Sequence, residues 1–396
     1  MKRAPLIEGF RWYGKRDHVP LSYIRQSGAT DVYSSLHEIP YGEVWSVEAI
    51  KAHQKLIEDA GLRWSVVESL PVHEDIKTQS GDFKKLIENY KISLRNLAEC
   101  GIKIIIYNFM PALDWIRTDL HFKNPDGSTC LRFDAAQFAA FDMFVLKREG
   151  AEKTYAEDTK KKAREFFEKL SPAEVEKFEA SIMDVFPGCK LGLHASDLRK
   201  MLAKYEGIDE KKLKENLAYF LREVSPVAES LGQKLAIHPD DPPFDVLGLP
   251  RIASNVDDFK DIVNSCNNSA NGICFCTGSL SASLKNNIPQ MIDELKDKIF
   301  VAHLRSTKVE ADGSFYEAGH LEGGVPMPEV VSKLMELQAQ KLESGDIPLV
   351  FRPDHGRDMA NDLSVIADNP GYNFIGRMKG LAELRGLMRG IMYASK

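Results

Sequence analysis

Long hydrophobic runs are missing from this sequence of 396 residues. No stretch approaches the ~18 consecutive apolar residues that a membrane-spanning helix needs. The first residues, MKRAPLIEGFRWYG, also lack the apolar core of at least ~7 residues that a signal peptide requires, because Glu8 and Arg11 interrupt it. We therefore expect a cytoplasmic protein that does not associate with a membrane.

Blocks of basic residues and a disulfide framework are missing as well. The formal net charge is -6, and the richest basic stretch, 160–164, is followed by Glu165 and Glu168. Mixed charges of this kind are typical of a solvated helix face, and we expect no nucleic-acid partner. The cysteines show no disulfide spacing, so a functional cysteine should act as a thiol ligand or nucleophile. They are Cys100, Cys130, Cys189, Cys266, Cys274 and Cys276.

Short apolar strands alternate with amphipathic helices along most of the chain. Helical patterns cover 47–60 and 83–99, and Gly61, Gly101 and Gly232 each follow a helical pattern where a left-handed cap belongs. Eight strands, nearly all separated by helices, predict a parallel sheet, and eight is the number that closes a (β/α)8 TIM barrel. The predicted strands are Phe10–Gly14, Thr30–Leu36, Leu62–Ser69, Ile102–Phe109, Lys234–His238, Ile273–Cys276, Ile299–Leu304 and Leu349–Asp354.

The segment from Pro111 to Asp209 interrupts this alternation. It contains no convincing barrel strand, and residues 157–184 have a charged helical pattern. We interpret 111–209 as a largely helical insertion after strand four of a single barrel domain, 1–396; a separate small domain is the alternative. Because barrel insertions usually lie at the carboxyl ends of the strands, this one is placed to act as a lid over the site.

The last four strands each end in a side chain that can bind a metal ion. Residues two apart on a strand share a face, so Ala236 and His238 point inward if the bulky Leu235 and Ile237 pack against the outer helices. The same argument places Cys274 and Cys276 on the inner face of the next strand. Because catalytic groups lie at this end of a barrel, the predicted ligands are His238, Cys276, His303 and Asp354. Ligand chemistry alone slightly favours zinc and leaves iron(II) and manganese(II) open.

Several charged residues fall at the same predicted rim. Asp240 or Asp241, in the proline-rich loop after His238, is predicted to support a ligand imidazole through a hydrogen bond, and simple turn formation is the alternative. Arg305 and Arg352 are predicted to clamp a substrate carboxylate by two-pronged contacts. Each arginine could equally form a structural ion pair.

Aromatic and titratable residues complete the predicted mouth. Trp12, Tyr13 and His37 lie at the ends of strands one and two, where they could stack on an extended polyol; core packing is the alternative, more so for Trp12 than for His37. His355 directly follows a predicted ligand and is a candidate acid or base. Tyr372 lies in the turn-rich segment DNPGYNFIG, from which it could reach into the mouth as a proton donor.

Six segments resemble mannonate dehydratases of the UxuA type: EGFRWYG, HPDDPPFDVLGLPRI, CTGS, HLRST, RPDHG and NPGYNFIGRMKGLAELRG. The resemblance runs from end to end, and the insertion, especially LGLHASD, matches least. It implies a xylose isomerase-like barrel. It also implies a lyase that removes water from D-mannonate to give 2-keto-3-deoxy-D-gluconate in hexuronate (glucuronate) breakdown. It also implies manganese(II) or iron(II) in place of zinc. The implied metal ligands are His238, Cys276, His303 and Asp354, and the implied acid/base residues are His355 and Tyr372.

The residues leave two other functions open. A sugar isomerase or epimerase on the same barrel would use the same metal without releasing water. A non-catalytic, metal-binding sugar-acid sensor would not need the acid/base residues. Barrels of this kind often associate into homo-oligomers, but no surface stands out in the sequence.

Overall fold

The structure is a computed structural model that describes residues 2–183 and 194–394. Eight of its strands are parallel neighbours and close into a barrel. The predicted (β/α)8 barrel is therefore confirmed. The barrel strands are β1 (Ile7–Arg11), β2 (Asp31–Ser34), β3 (Arg63–Glu68), β4 (Ile104–Tyr107), β7 (Lys234–Ile237), β8 (Asn271–Cys276), β9 (Ile299–Leu304) and β12 (Val350–Pro353). Around the barrel they follow the order β1-β12-β9-β8-β7-β4-β3-β2.

Helices separate most of these strands and cover the outside of the barrel. The predicted helices over 47–60 and 83–99 are present, and Gly61, Gly101 and Gly232 have φ values of 73°, 80° and 66°. This left-handed conformation lets each helix end just before the next strand. The α-helices are α1 (Leu21–Gln26), α2 (Val47–Asp59), α3 (Glu74–Thr78), α4 (Phe83–Glu99), α5 (Ala135–Ala140), α6 (Glu157–Phe167), α7 (Pro172–Met183), α8 (Ala195–Ala203), α9 (Glu210–Ser230), α10 (Val256–Ser265), α11 (Thr277–Ser281), α12 (Ile288–Leu295), α13 (Met327–Ser344) and α14 (Phe374–Ala394).

The two faces of the barrel strands separate as the two-residue period predicts. Ala236, Cys274, Val301 and Val350 belong to a small cluster inside the barrel. Their neighbours along the strands instead join the large core between the barrel and the helices; these are Leu235, Ile237, Ile273, Phe275, Ala302, Leu349 and Phe351. The side chains at the carboxyl ends of β7, β8, β9 and β12 therefore converge on one mouth.

The insertion contains a β-hairpin that the sequence analysis did not predict. Its strands are β5 (Asp119–Lys123) and β6 (Thr129–Phe133). The hairpin pairs with a second one, β10 (Thr307–Val309) and β11 (Phe315–Glu317), in an antiparallel sheet of order β10-β11-β6-β5. We call this the accessory sheet. The Asp-Gly dipeptide at 126–127 was the available signal for the turn.

Helices make up most of the remaining insertion, as predicted. The charged stretch over 157–184 forms α6 and α7 as far as Met183, and α8 follows from Ala195. Residues 184–193, which include Cys189 and the first three residues of LGLHASD, lie outside the described residues. No helix in the two described ranges is both long and apolar enough to cross a membrane. The other cysteines are unbridged: Cys100, Cys130, Cys266, Cys274 and Cys276.

Candidate active site

Five potential metal-binding side chains meet at the carboxyl end of the barrel. Cys276, His303 and Asp354 place one ligand atom each within 4.8 Å of one another, and so do His238, Cys274 and His303. His303 belongs to both groups and joins the four predicted ligands into one cluster. Cys274 is an additional candidate ligand: strand parity predicts that it points inward, but it is not one of the four predicted ligands.

His238 is oriented by its own loop. Its Nδ1 lies 2.7 Å from the carbonyl oxygen of Pro239, which can only accept a hydrogen bond. The proton of a neutral ring is thus held on Nδ1, and the lone pair on Nε2 remains for a metal ion. The ring centroids of His238 and His303 are 5.2 Å apart.

Cys276 and Asp354 face each other across the mouth. The Cys276 Sγ is 3.4 Å from Oδ2 of Asp354, and the Ser279 hydroxyl donates to this sulfur across 3.1 Å. Burial alone would raise the pKa of Asp354, but Arg352, His355 and Arg305 hold it well below its usual range. Asp354 is therefore an anion at neutral pH, the form in which a carboxylate binds metals.

The two arginines at the rim are bonded to protein carboxylates. Arg305 donates from Nε to Asp354 at 2.6 Å and from Nη1 to both oxygens of Glu317 at 2.8 Å. Arg352 donates to Asp354 at 2.5 Å and to the two oxygens of Glu68 at 2.6 and 2.9 Å. Both side chains are almost fully buried. The geometry is that of the ion-pair alternative, and the role of these arginines in substrate binding stays a prediction.

The two aspartates after His238 support other parts of the mouth. Asp240 accepts hydrogen bonds from the Ala253 amide at 2.6 Å and the Ser254 hydroxyl at 3.0 Å, so it fixes a neighbouring loop. Asp241 accepts from Arg117 at 2.7 and 3.1 Å and also binds Arg305. No hydrogen bond joins either carboxylate to a histidine among the residues that the structure describes.

The predicted aromatic residues occupy two different places. Trp12 is 5% exposed and packs against His53 of α2, with ring centroids 5.2 Å apart, on the outer side of the barrel. This position corresponds to core packing. Residue 12 directly follows β1 and lies on the same outward face as Phe10, which belongs to the core between the barrel and the helices. Tyr13 instead lies at the mouth, stacked on His37 at 5.4 Å and edge-on to Tyr372 at 5.0 Å.

His355 and Tyr372 lie together next to the candidate metal ligands. Their ring centroids are 5.0 Å apart at an interplanar angle of 77°. The Tyr372 hydroxyl donates a hydrogen bond to Oδ1 of Asp354 across 3.3 Å. Burial raises the pKa of Tyr372 well above the ordinary value of a tyrosine. Nδ1 of His355 lies 2.9 Å from Glu317. The indole of Trp115, in the insertion, lies 5.5 Å from the His355 ring.

Three charged residues of this site were missed by the sequence analysis. Glu68 ends β3, and its Oε2 lies 3.4 Å from Nε2 of His303. Strand parity could have found it, because Val66 points into the barrel. Glu317 and Arg117 lie in the accessory sheet and the insertion, and they pair at 3.0 Å. Nothing in barrel periodicity points to them.

The donor set fits a divalent transition metal. It combines two imidazoles, a carboxylate and a thiol on separate strands, and three of these residues are almost fully buried. Around this set lie a histidine, a tyrosine and ion-paired arginines. Fold and site together define a (β/α)8-barrel protein with a candidate metal centre at its carboxyl mouth.

Comparisons with known proteins define the family. The family model for D-mannonate dehydratase (UxuA) matches residues 6–396. The mannonate dehydratase of Marinomonas sp. (strain MWYL1) is 48% identical over 384 residues, 96% of this chain and 98% of that protein. The enzyme of Saccharophagus degradans is 42% identical and covers 97% of each chain. The chain belongs to the D-mannonate dehydratase family, whose members are hydro-lyases.

Solved structures agree with this assignment. The crystal structure of mannonate dehydratase from Streptococcus suis serotype 2 matches with a TM-score of 0.76 and 32% identity, over 98% of this chain and 94% of that one. A xylose isomerase-like TIM barrel protein from Mycobacterium smegmatis, solved in complex with magnesium, matches with a TM-score of 0.51 and 11% identity, over 98% and 97% of the two chains. The second likeness concerns the fold alone.

Proposed function

We propose that the protein removes water from D-mannonate to give 2-keto-3-deoxy-D-gluconate at the carboxyl mouth of its barrel. The observation that carries this proposal is the convergence of one metal-capable group with two proton-transfer candidates. Asp354 is bonded to Tyr372 and is followed in the chain by His355, whose ring contacts Tyr372. Family membership supports the substrate.

The proposed metal ligands are His238, Cys276, His303 and Asp354, and the proposed ion is manganese(II) or iron(II). When bound, the cation supplies positive charge that stabilises the negative charge developing on the substrate carboxylate. Arg305 and Arg352 each donate a hydrogen bond to Asp354, and these bonds fix the position of its carboxylate. The choice of manganese or iron follows the family resemblance.

Proton transfer falls to His355 and Tyr372. The hydrogen on C2 lies next to a carboxylate and is only weakly acidic, so one residue of the pair removes it as a base. The other protonates the hydroxyl on C3, which leaves as water while the C2–C3 double bond forms. The resulting enol becomes the 2-keto acid. Tyr13 and His37, stacked beside Tyr372, are proposed to contact the substrate hydroxyls.

The insertion 111–209 is proposed to belong to the same domain and to cover the active site. Trp115 lies against His355, and Arg117 is fully buried between Asp241 and Glu317. Phe133 of the insertion also stacks on Phe315 of β11, with ring centroids 5.3 Å apart. The unbridged cysteines agree with the proposed cytoplasmic location, where thiols stay reduced.

The reaction product tests this function. The protein would be loaded with manganese(II) or iron(II) under reducing conditions, incubated with D-mannonate and assayed for a 2-keto-3-deoxy acid. Its formation is expected. A product of unchanged composition would instead identify an isomerase or epimerase, and no reaction with either metal would favour a sensor.

A further inference from the structure

A carboxylate from outside the barrel lies against the ring of His355. Oε1 of Glu317 is 2.9 Å from Nδ1 of His355. Glu317 is the last residue of β11 in the accessory sheet and is 2% exposed. No hydrogen bond to the other ring nitrogen, Nε2, is present within 2–183 and 194–394. Nε2 of His320 also lacks a hydrogen-bond partner among the described residues, but that nitrogen is completely buried, whereas Nε2 of His355 is not among the buried unpartnered atoms.

Two arginines hold the Glu317 carboxylate in its charged form. Nη1 of Arg305 donates to both oxygens at 2.8 Å, and Nη2 of Arg117 donates to Oε1 at 3.0 Å. Burial opposes ionisation, but Arg305 and His355 lower the pKa of Glu317 to about 2. An ionised carboxylate can only accept hydrogen bonds, so the contact with His355 requires a proton on Nδ1.

We propose that Glu317 is a positioning residue for the dehydration, which holds His355 as its Nδ1–H tautomer and leaves Nε2 as the atom that exchanges a proton with the substrate. This inference rests on the proposed role of His355. The Nδ1 proton stays bonded to Glu317 while Nε2 gains or returns the substrate proton.

The accessory sheet contributes to the reaction by positioning Glu317 against His355. Glu317 comes from the hairpin after β9, and that hairpin is completed by β6 of the insertion. Arg117, also from the insertion, fixes the same carboxylate. The parts added to the barrel thus orient a histidine that the barrel itself supplies.

A charge-neutral replacement tests this role against a matched control. Glu317→Gln keeps the size of the side chain and removes its charge. Glu310→Gln makes the same change in the same hairpin, where Glu310 pairs with Arg132 at 2.7 Å and has no contact with His355. We expect Glu317→Gln to lower kcat about 100-fold, with nearly unchanged KM and bound metal. Glu310→Gln should keep kcat, and equal kcat values for the two variants would overturn the proposal.

A double mutant separates positioning from a general structural effect. If Glu317 acts through His355, Glu317→Gln should cause no further loss of kcat in a His355→Ala background. A further loss of about 100-fold there, as large as in the native background, would contradict the proposal.

The tautomer can be measured without replacing Glu317. ¹⁵N-histidine NMR of the native protein, with the His355 signals assigned by their absence from His355→Ala, should show the proton on Nδ1. A proton on Nε2 instead would overturn the inference even if Glu317→Gln failed to fold. Failure of the proposed function would look different, because the native protein would then form no keto-deoxy acid.

Discussion

The hydroxyl of Tyr372 donates a hydrogen bond to Oδ1 of Asp354 across 3.3 Å. The same oxygen accepts a hydrogen bond from Arg352 at 2.5 Å. The ring of His355 lies edge-on to that of Tyr372, with ring centroids 5.0 Å apart. Tyr372 therefore contacts both a proposed metal ligand and the other proposed proton-transfer group. Loss of its hydroxyl should directly lower the rate of the reaction.

Tyr372→Phe should lower kcat by about 10²–10⁴-fold, because it removes the hydroxyl that is proposed to exchange a proton with the substrate. His355→Ala should cause a loss in the same range. Steady-state kinetics with D-mannonate and metal analysis would measure both effects, and bound metal should remain. Tyr107→Phe is the control: Tyr107 is a buried barrel tyrosine whose hydroxyl has no hydrogen-bond partner among the described residues, so its loss should leave activity unchanged. Native activity in Tyr372→Phe would exclude its proposed role.

Cys276→Ala should lose tightly bound metal, whereas Cys274→Ala should retain it. Cys276 lies within 4.8 Å of both His303 and Asp354 through its sulfur, while Cys274 lies deeper in the barrel, with its sulfur 3.4 Å from Nε2 of His303. Elemental analysis of the purified variants beside the native protein would decide. Equal metal in native protein and Cys276→Ala would defeat the proposed ligand set, and loss in Cys274→Ala alone would assign the thiolate to Cys274.

Arg117→Met should lower the free energy of unfolding by about 3–5 kcal/mol at pH 7, because it removes one of the two arginines that pair with the buried carboxylates of Asp241 and Glu317. Burial raises the pKa of Asp241, but Arg117 and Arg305 lower it below its ordinary value. Glu317 behaves likewise, with a pKa of about 2. The stability from such carboxylates is present above their ordinary pKa of about 4 and is lost as the pH falls toward the folded values.

The difference between Arg117→Met and the native protein should therefore shrink from pH 7 to pH 3. Urea denaturation at the two pH values would measure it. Arg132→Met is the control, since Arg132 pairs with the half-exposed Glu310 and should cost less. An equal difference at both pH values would mean that Arg117 stabilises the fold through packing rather than through charge.

Gly380→Ala should destabilise the protein by about 1–3 kcal/mol, because a Cβ at this position of α14 would lie 2.2 Å from Cε1 of the buried His320. Gly386 lies six residues further along the same helix, and a Cβ there would have no described atom within 4 Å apart from the backbone of its own helix. Gly386→Ala should stabilise the helix by about 0.5–1 kcal/mol. Thermal unfolding of both variants would check this opposite pair of shifts, and a shift of the same sign in both would refute the steric argument.

The barrel and its inner face could be predicted from the sequence because both depend on local periodicity. Alternating residues such as Leu235, Ala236 and Ile237 assign the two faces of a strand without knowledge of its neighbours. The carboxyl ends of parallel strands must then meet at one mouth, which is why His238 and Asp354 were placed together from positions 116 residues apart in the sequence. The ends of the strands were predicted less accurately than their faces. For example, β1 begins three residues before its predicted start.

What only the tertiary structure decided is how the charged residues at the mouth are partnered. Whether Arg352 binds a substrate or Glu68 depends on two side chains 284 residues apart in the chain. The contact between Arg117 and Glu317 likewise requires the insertion and the second hairpin to pair in one sheet. Local patterns fix the direction in which a side chain points, but the partner of a buried charge is set by whichever distant segment is packed against it.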